Sequence, residues 1–289
     1  MTEINLKEYR IDEMKEKFQF PPLNVLLIGA TGAGKSSTIN ALLGSEAAKV
    51  GAGADPETKD VRKYKINDYL CLYDTPGLGD SPQEDDAHIK KILSYLNRPC
   101  GKKGVSGKLI DKVLVVVDGS TRDFGTISAL LNNYIFQGLD AEDVLFAVNQ
   151  ADMAMKGHHW NSNTATPDAK LTEFLEEKVK SVKQRIEEST GKTINTPVFY
   201  SAAHGFNVTQ LVDFIIDNSN SQRKEREYEQ QTSSSSSSDD IPSNGKVAGH
   251  TAAGAAAGAA IGSAVPVVGT AVGAVVGGVL GFLSSFFDD

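Results

Sequence analysis

Three stretches of this 289-residue chain are almost unbroken apolar runs: NVLLIG (24–29), KVLVVVD (112–118) and DVLFAVN (143–149). A strand that alternates apolar and polar residues covers one face of a sheet, whereas a continuous run belongs to a strand buried on both. Strands are predicted over 23–29, 61–66, 69–74, 112–118, 143–149 and 196–200. Between them lie segments with apolar residues three and four apart, which predict helices over 35–43, 85–97, 124–137, 168–189 and 207–217. Strand and helix alternate from Leu23 to about Asn218. That order implies an α/β domain built on a mostly parallel sheet of six strands, with helices on both faces. Ahead of it, Ile4, Ile11, Met14 and Phe18 share one helical face. They predict a short amphipathic helix over 3–18, within an N-terminal segment of residues 1–20.

The pattern breaks after Asn218. Residues 219–246 hold one aromatic, a run of serines and little to bury, and so predict a flexible linker. From Thr251 to Phe287 there is no charged residue. Gly254, Gly258 and Gly262 are spaced by four, as are Gly269, Gly273, Gly277 and Gly281, and Pro266 divides the segment. Spacing by four lines each glycine set along one helical face, so that helix backbones can approach closely. The second half is long enough to span a hydrocarbon core. Residues 247–289 are therefore read as a Gly/Ala-rich helical hairpin that inserts into membrane or self-associates through 247–287. A soluble hairpin packed on the domain or on a partner, and a tail without fixed structure, remain open alternatives.

Composition narrows the chemistry. With 29 Lys+Arg against 37 Asp+Glu, the net charge is −8, a poor general match to phosphate backbones. Nucleic acid is not the expected partner. Two cysteines, Cys71 and Cys100, make no disulfide framework and suit a cytoplasmic setting. The charged N-terminus does not read as a secretory leader.

Ligands of parallel α/β sheets bind at the carboxyl ends of the strands, and each candidate motif falls there. Gly29-Ala30-Thr31-Gly32-Ala33-Gly34-Lys35-Ser36 fits G-x-x-x-x-G-K-[ST], after a strand and before a helix. Its backbone N–H groups, with the start of the helix and Ser37, suit a phosphate chain. Lys35 is expected on the β- and γ-phosphates, and Ser36 on Mg²⁺. In CLYDTPGLGD, Asp74 ends a strand and can hold Mg²⁺ through water, while Gly77 lets a backbone N–H approach the γ-phosphate. In AVNQAD, Asn149 is expected to touch the base edge and brace the phosphate loop. Asp152 can accept from guanine N1–H and the 2-amino group. Adenine has no donors there, and an unpaired buried carboxylate is costly. In FYSAAHG, Ser201 precedes Ala202, whose N–H is expected to meet guanine O6.

Taken in order, GATGAGKS, a lone threonine, DTPG, NQAD and SA resemble the five motifs of a small GTPase domain, nearest the Era-like branch of the translation-factor-type GTPases. GATGAGKSSTINALLG also resembles the loops of immunity-related and septin-like relatives. The resemblance covers about residues 20–218. It implies a Ras-like P-loop fold, GTP/GDP and Mg²⁺ as ligands, slow hydrolysis, and switch loops that report the nucleotide. It also implies that Thr58, the one threonine between Thr38 and Thr75, closes on Mg²⁺ and the γ-phosphate, making Lys35, Thr58 and Gly77 the candidate catalytic set. A homodimer is a further expectation.

Three positions depart from the family pattern. Leu78 stands where Ras-type enzymes place a water-orienting glutamine. Unaided turnover is therefore expected to be slow, with Asp80 or a partner chain supplying the missing group. Gly32 replaces the asparagine of potassium-activated relatives. Gln150 replaces the lysine whose stem covers the guanine ring. Two insertions, 97–108 and 153–167, are candidate partner surfaces. Adjacent His158 and His159 lack an acid or cysteine at ligand spacing, so that loop is read as packing Trp160 rather than holding a metal. Two functional rivals stay open: a ribosome- or RNA-linked assembly GTPase, and a membrane-active structural protein with nucleotide-gated assembly and negligible turnover.

Overall fold

The computed structural model describes residues 5–18, 22–44, 48, 60–79, 81–100, 107–120 and 125–219. The expected linker beyond Ser219, the glycine-rich tail, Thr58 and Asp80 lie outside the described residues.

Among the described residues the principal sheet has six strands: β1 (Leu23–Ile28), β2 (Arg62–Lys65), β3 (Leu70–Asp74), β4 (Lys112–Asp118), β5 (Val144–Asn149) and β8 (Val198–Phe199). Their spatial order is β2-β3-β1-β4-β5-β8. β2 runs antiparallel to β3, and every other neighbouring pair is parallel. A two-stranded ribbon, β6 (Trp160–Asn161) and β7 (Thr166–Pro167), projects from the loop after β5.

The pleat explains the continuous apolar runs. Val25, Leu27, Leu114, Val116, Leu145 and Ala147 face one layer. Leu26, Ile28, Val113, Val115, Phe146 and Val148 face the other. The first layer is covered by α1 (Ile11–Lys17), α2 (Lys35–Leu43) and α7 (Val208–Asp217), through Met14, Ile39, Leu42, Leu211 and Ile215. The second is covered by α3 (Pro82–Leu96), by the segment from α4 (Gly125–Leu130) through a π-helical turn (Leu131–Ile135) into α5 (Phe136–Gly138), and by α6 (Ala169–Thr190). Ile92, Leu131, Ile135, Val182 and Ile186 close that side. Helices on both faces leave the strand ends as the open edge of the sheet.

Local chemistry shifts several element boundaries. α3 begins at Pro82 rather than residue 85, because Ser81 caps it: Glu84 N–H donates to Ser81 Oγ at 3.3 Å and Ser81 Oγ donates to Glu84 Oε2 at 3.1 Å. α6 is capped by Asp168, which accepts from Leu171 N–H at 2.9 Å, and ends at Gly191 with φ 65°. Of the helix expected over 3–18, the described residues are α-helical over Ile11–Lys17. Arg10 takes φ 51°, which breaks the helical path. Its guanidinium meets Asp213 at 2.9 Å and Asp217 at 2.7 Å, both on α7. Met14 and Phe18 are buried, as their spacing predicts. Ser219, where the linker is expected to begin, is itself buried and donates to Ile215 O at 2.6 Å. Among the described residues no helix is long and apolar enough to cross a membrane.

Candidate functional site

β1 delivers the chain into the loop Gly29–Gly34. Two of its glycines are required by space. A Cβ on Gly29 would lie 2.4 Å from Val116 O on the neighbouring strand, and one on Gly34 would lie 2.1 Å from Asn149 Nδ2. Gly34 also takes φ 89°. Lys35 opens α2, and its Nζ donates back to Gly29 O and Ala30 O, each at 3.0 Å. The ammonium thus lies within the loop, and only 7% of the residue is exposed. Ser37 follows on the first turn of α2, partly exposed.

Ser36 and Asp74 come together across 38 residues of sequence. Ser36 Oγ donates to Asp74 Oδ2 at 2.8 Å, at the carboxyl ends of β1 and β3. A hydroxyl and a carboxylate so placed are hard oxygen donors, and they fit Mg²⁺.

The DTPG segment is stitched to the phosphate loop. Thr75 Oγ1 donates to Leu27 O at 2.6 Å. Thr31 N–H donates to Leu78 O at 2.9 Å, and Leu78 N–H to Gly29 O at 3.3 Å. A Cβ on Gly77 would sit 2.2 Å from Thr31 Oγ1, so this close crossing admits only glycine. The Leu78 side chain points away from the crossing into the core and is 1% exposed. His88 on α3 was not singled out from the sequence, yet its Nδ1 lies 2.7 Å from Gly77 O. Nothing in the local sequence marks it, because the contact joins a helix to a loop eleven residues earlier.

At the end of β5, Asn149 spends both halves of its amide within the protein. Nδ2 donates to Ala33 O at 3.0 Å, and Oδ1 accepts from Ala202 N–H at 3.0 Å. The side chain therefore braces the phosphate loop against the SAA loop. The Ala202 N–H, expected for guanine O6, points to Asn149 here. Gln150, with φ 60°, donates its side-chain amide to Gly32 O at 2.7 Å. Gly32 itself has φ 78° and open space around it. Asp152 is 8% exposed, and Oδ1 accepts from the buried Ser201 hydroxyl at 2.6 Å. His204 Nε2 stands 3.7 Å from Oδ2. Trp160 packs against His204 and Phe206, with centroids 5.3 and 5.5 Å away. His159 pairs with Asp168 at 2.7 Å.

The Gly29–Gly34 loop, the Ser36–Asp74 pair and the loops after β5 and β8 are thus joined at one edge of the sheet. Residues 24–150 match the family described as 50S ribosome-binding GTPase. This segment has the fold of the P-loop GTPases and resembles their G domain. It resembles interferon-gamma-inducible GTPase 10 of Mus musculus, 38% identical over 76 residues, or 25% of this chain and 18% of that protein. It also resembles the tRNA modification GTPase MnmE of Marinobacter nauticus, 28% identical over 175 residues, or 58% of this chain and 36% of that protein. The chain therefore spans only about a fifth to a third of these relatives. Among solved structures, Toc33 from Arabidopsis thaliana in complex with GDP and Mg²⁺ shares the fold, with a TM-score of 0.51 and 20% identity over 76% of this chain and 92% of that one. Beyond the matched segment the sheet continues to β8, and Ser201 and Ala202 follow that strand.

Proposed function

We propose that this protein is a guanine-nucleotide switch that hydrolyses GTP to GDP and phosphate. The observation that carries this reading is the bracing of Asn149 between Ala33 O and Ala202 N–H, beside an Asp152 held by Ser201. It ties a carboxylate suited to guanine N1–H and the 2-amino group to the loop suited to the phosphates.

In this reading Gly29, Ala30, Thr31, Gly32, Ala33, Gly34 and Ser37 present backbone N–H groups to the phosphates. Lys35 leaves the loop carbonyls for the β- and γ-phosphates and neutralises charge that develops in phosphoryl transfer. Ser36 and Asp74 would hold Mg²⁺, which would supply neutralisation of phosphate charge when bound. Gly77 N–H contacts the γ-phosphate, and Thr58 closes from the first switch. Leu78 offers no polar group to the attacking water, so unaided turnover is slow and a partner, or Asp80, completes the site.

The protein is further proposed to be cytoplasmic and to couple nucleotide state to membrane association or self-assembly through residues 247–287. The support for this is the charge-free stretch and the glycine spacing of that segment. Liposome flotation of the full chain and of a chain ending at Lys246, each loaded with GDP or a non-hydrolysable GTP analogue, tests it. Flotation of the full chain alone supports the membrane role. If neither floats, the tail serves a soluble partner or self-association. Nucleotide assignment is tested separately, by equilibrium binding of GDP against ADP; equal affinity for the two refutes it.

A further inference from the structure

Tyr200 directly precedes Ser201 and Ala202, and it is fully buried. Its hydroxyl lies 2.6 Å from Thr38 Oγ1 on α2. Thr38 Oγ1 donates its single proton to Gly34 O at 2.7 Å. With that proton spent, Thr38 can only accept from Tyr200, so the direction of the pair is fixed: Tyr200 O–H to Thr38 Oγ1, and Thr38 Oγ1–H to Gly34 O. Burial pushes the Tyr200 phenol above its ordinary value, which keeps it a protonated donor.

Each end of this relay meets a different part of the nucleotide site. Gly34 O receives both the Thr38 hydroxyl and the Thr38 N–H, the latter at 2.9 Å. The Gly34 carbonyl and the Lys35 N–H belong to one planar peptide and point in opposite directions. Two donors that hold the carbonyl toward α2 thereby turn the Lys35 N–H toward the interior of the phosphate loop. At the other end, Tyr200 N–H donates to Val148 O at 2.9 Å, and Tyr200 O accepts from Ala151 N–H at 3.1 Å. The tyrosine backbone therefore brackets the turn that carries Asn149 and precedes Asp152. A phenylalanine would fill the same space without burying a hydroxyl, whose desolvation is costly unless it is bonded.

We propose that Tyr200 and Thr38 are positioning residues that couple the base-reading loop to the phosphate loop. A nucleotide that engages both loops then gains from their being fixed in register, and one that engages mainly the base loop does not. The proposal rests on the guanine-nucleotide reading of the site and adds how its two halves are joined.

The test compares GDP and GMP affinities of the full chain by titration calorimetry for the wild type, Tyr200→Phe, Thr38→Val, Thr38→Ser and the double variant Tyr200→Phe/Thr38→Val. Tyr200→Phe is expected to weaken GDP about tenfold and GMP by less than about twofold. Thr38→Val has the same signature, the double variant loses no more than Thr38→Val alone, and Thr38→Ser retains the wild-type GDP:GMP ratio. Thermal unfolding of each unliganded variant identifies any that fail to fold; Tyr200→Phe and Thr38→Ser keep the test intact should Thr38→Val be one of them. Equal losses for GDP and GMP, no loss in Tyr200→Phe, or additive losses in the double variant overturn the coupling. A wild type that does not prefer GDP to ADP overturns the nucleotide reading first, and the coupling with it.

Discussion

Asn149 Nδ2 and Ala33 O lie 3.0 Å apart, although 116 residues separate them in the chain. This hydrogen bond, with the one from Ala202 N–H to Asn149 Oδ1, makes a single buried side chain the joint between two loops. Asn149→Ala leaves a buried carbonyl and a part-buried N–H without that partner. The expected cost is about 2–3 kcal/mol of stability. GDP affinity is expected to fall about a hundredfold, since phosphate and base loops lose their common brace. Thermal unfolding and fluorescent-GDP titration measure the two effects.

Asp152 is held by Ser201 through Oδ1, which leaves Oδ2, beside His204, as the side proposed to meet the base. Asp152→Asn exchanges an acceptor for a donor. Preference is expected to move from guanine to xanthine nucleotides, whose 2-oxo group suits the amide, with GDP weakened by about a hundredfold or more. Competition of XDP against GDP reads this directly, and an unchanged guanine preference would remove Asp152 from its role.

Leu78→Gln looks from the sequence like a repair, returning the amide that Ras-type enzymes use. The structure sends the side chain the other way, into the layer with Ile92 and Val115. Glutamine there buries an unsatisfied amide and is expected to cost about 2–4 kcal/mol. Single-turnover hydrolysis is expected not to rise. A faster variant would mean that this loop turns its side chain toward the phosphates in the GTP state.

Gly32 has no side chain to offer a monovalent cation, and its carbonyl already accepts from Gln150. GTP turnover in KCl and in NaCl is expected to agree within about twofold. A large advantage in KCl refutes the expectation.

Asp168 caps α6, and the Leu171 N–H it accepts, with His159 beside it, holds its carboxyl below the ordinary value. A depressed folded-state value gives stability that is present above the unfolded value and lost as pH falls through the folded one. Asp168→Ala is therefore expected to lower Tm by about 2–4 °C near neutral pH. The difference narrows in acid as the wild-type carboxyl becomes protonated. Melting curves across that range check the sign.

The reading of strands at β1, β4 and β5 succeeded because a strand buried on both faces leaves a signal in composition, and the pleat then sorts Val25 from Leu26 without further information. The phosphate loop was legible for a similar reason: its glycines are demanded by local backbone geometry and close approach. The N-terminal helix starts later than its pattern suggests because Arg10, besides bonding Glu13, is held by partners on α7, 203 and 207 residues away. Such contacts have no period. The α3 boundary, by contrast, is local: Ser81-Pro82-Gln83-Glu84 is a capping sequence that starts the helix at Pro82.

Residue order alone thus determined the alternating α/β plan, the loop Gly29–Ser36 and the chemical types at Asp74, Asn149 and Asp152. These depend on periodicity and on short-range backbone rules. Tertiary structure alone decided that Leu78 is a core residue, that His88 holds Gly77 O, that Ser201 orients Asp152, and that Tyr200 reaches Gly34 through Thr38. Each of those depends on which distant groups the closed sheet brings within hydrogen-bonding or packing distance, and no local pattern in a sequence encodes that distance.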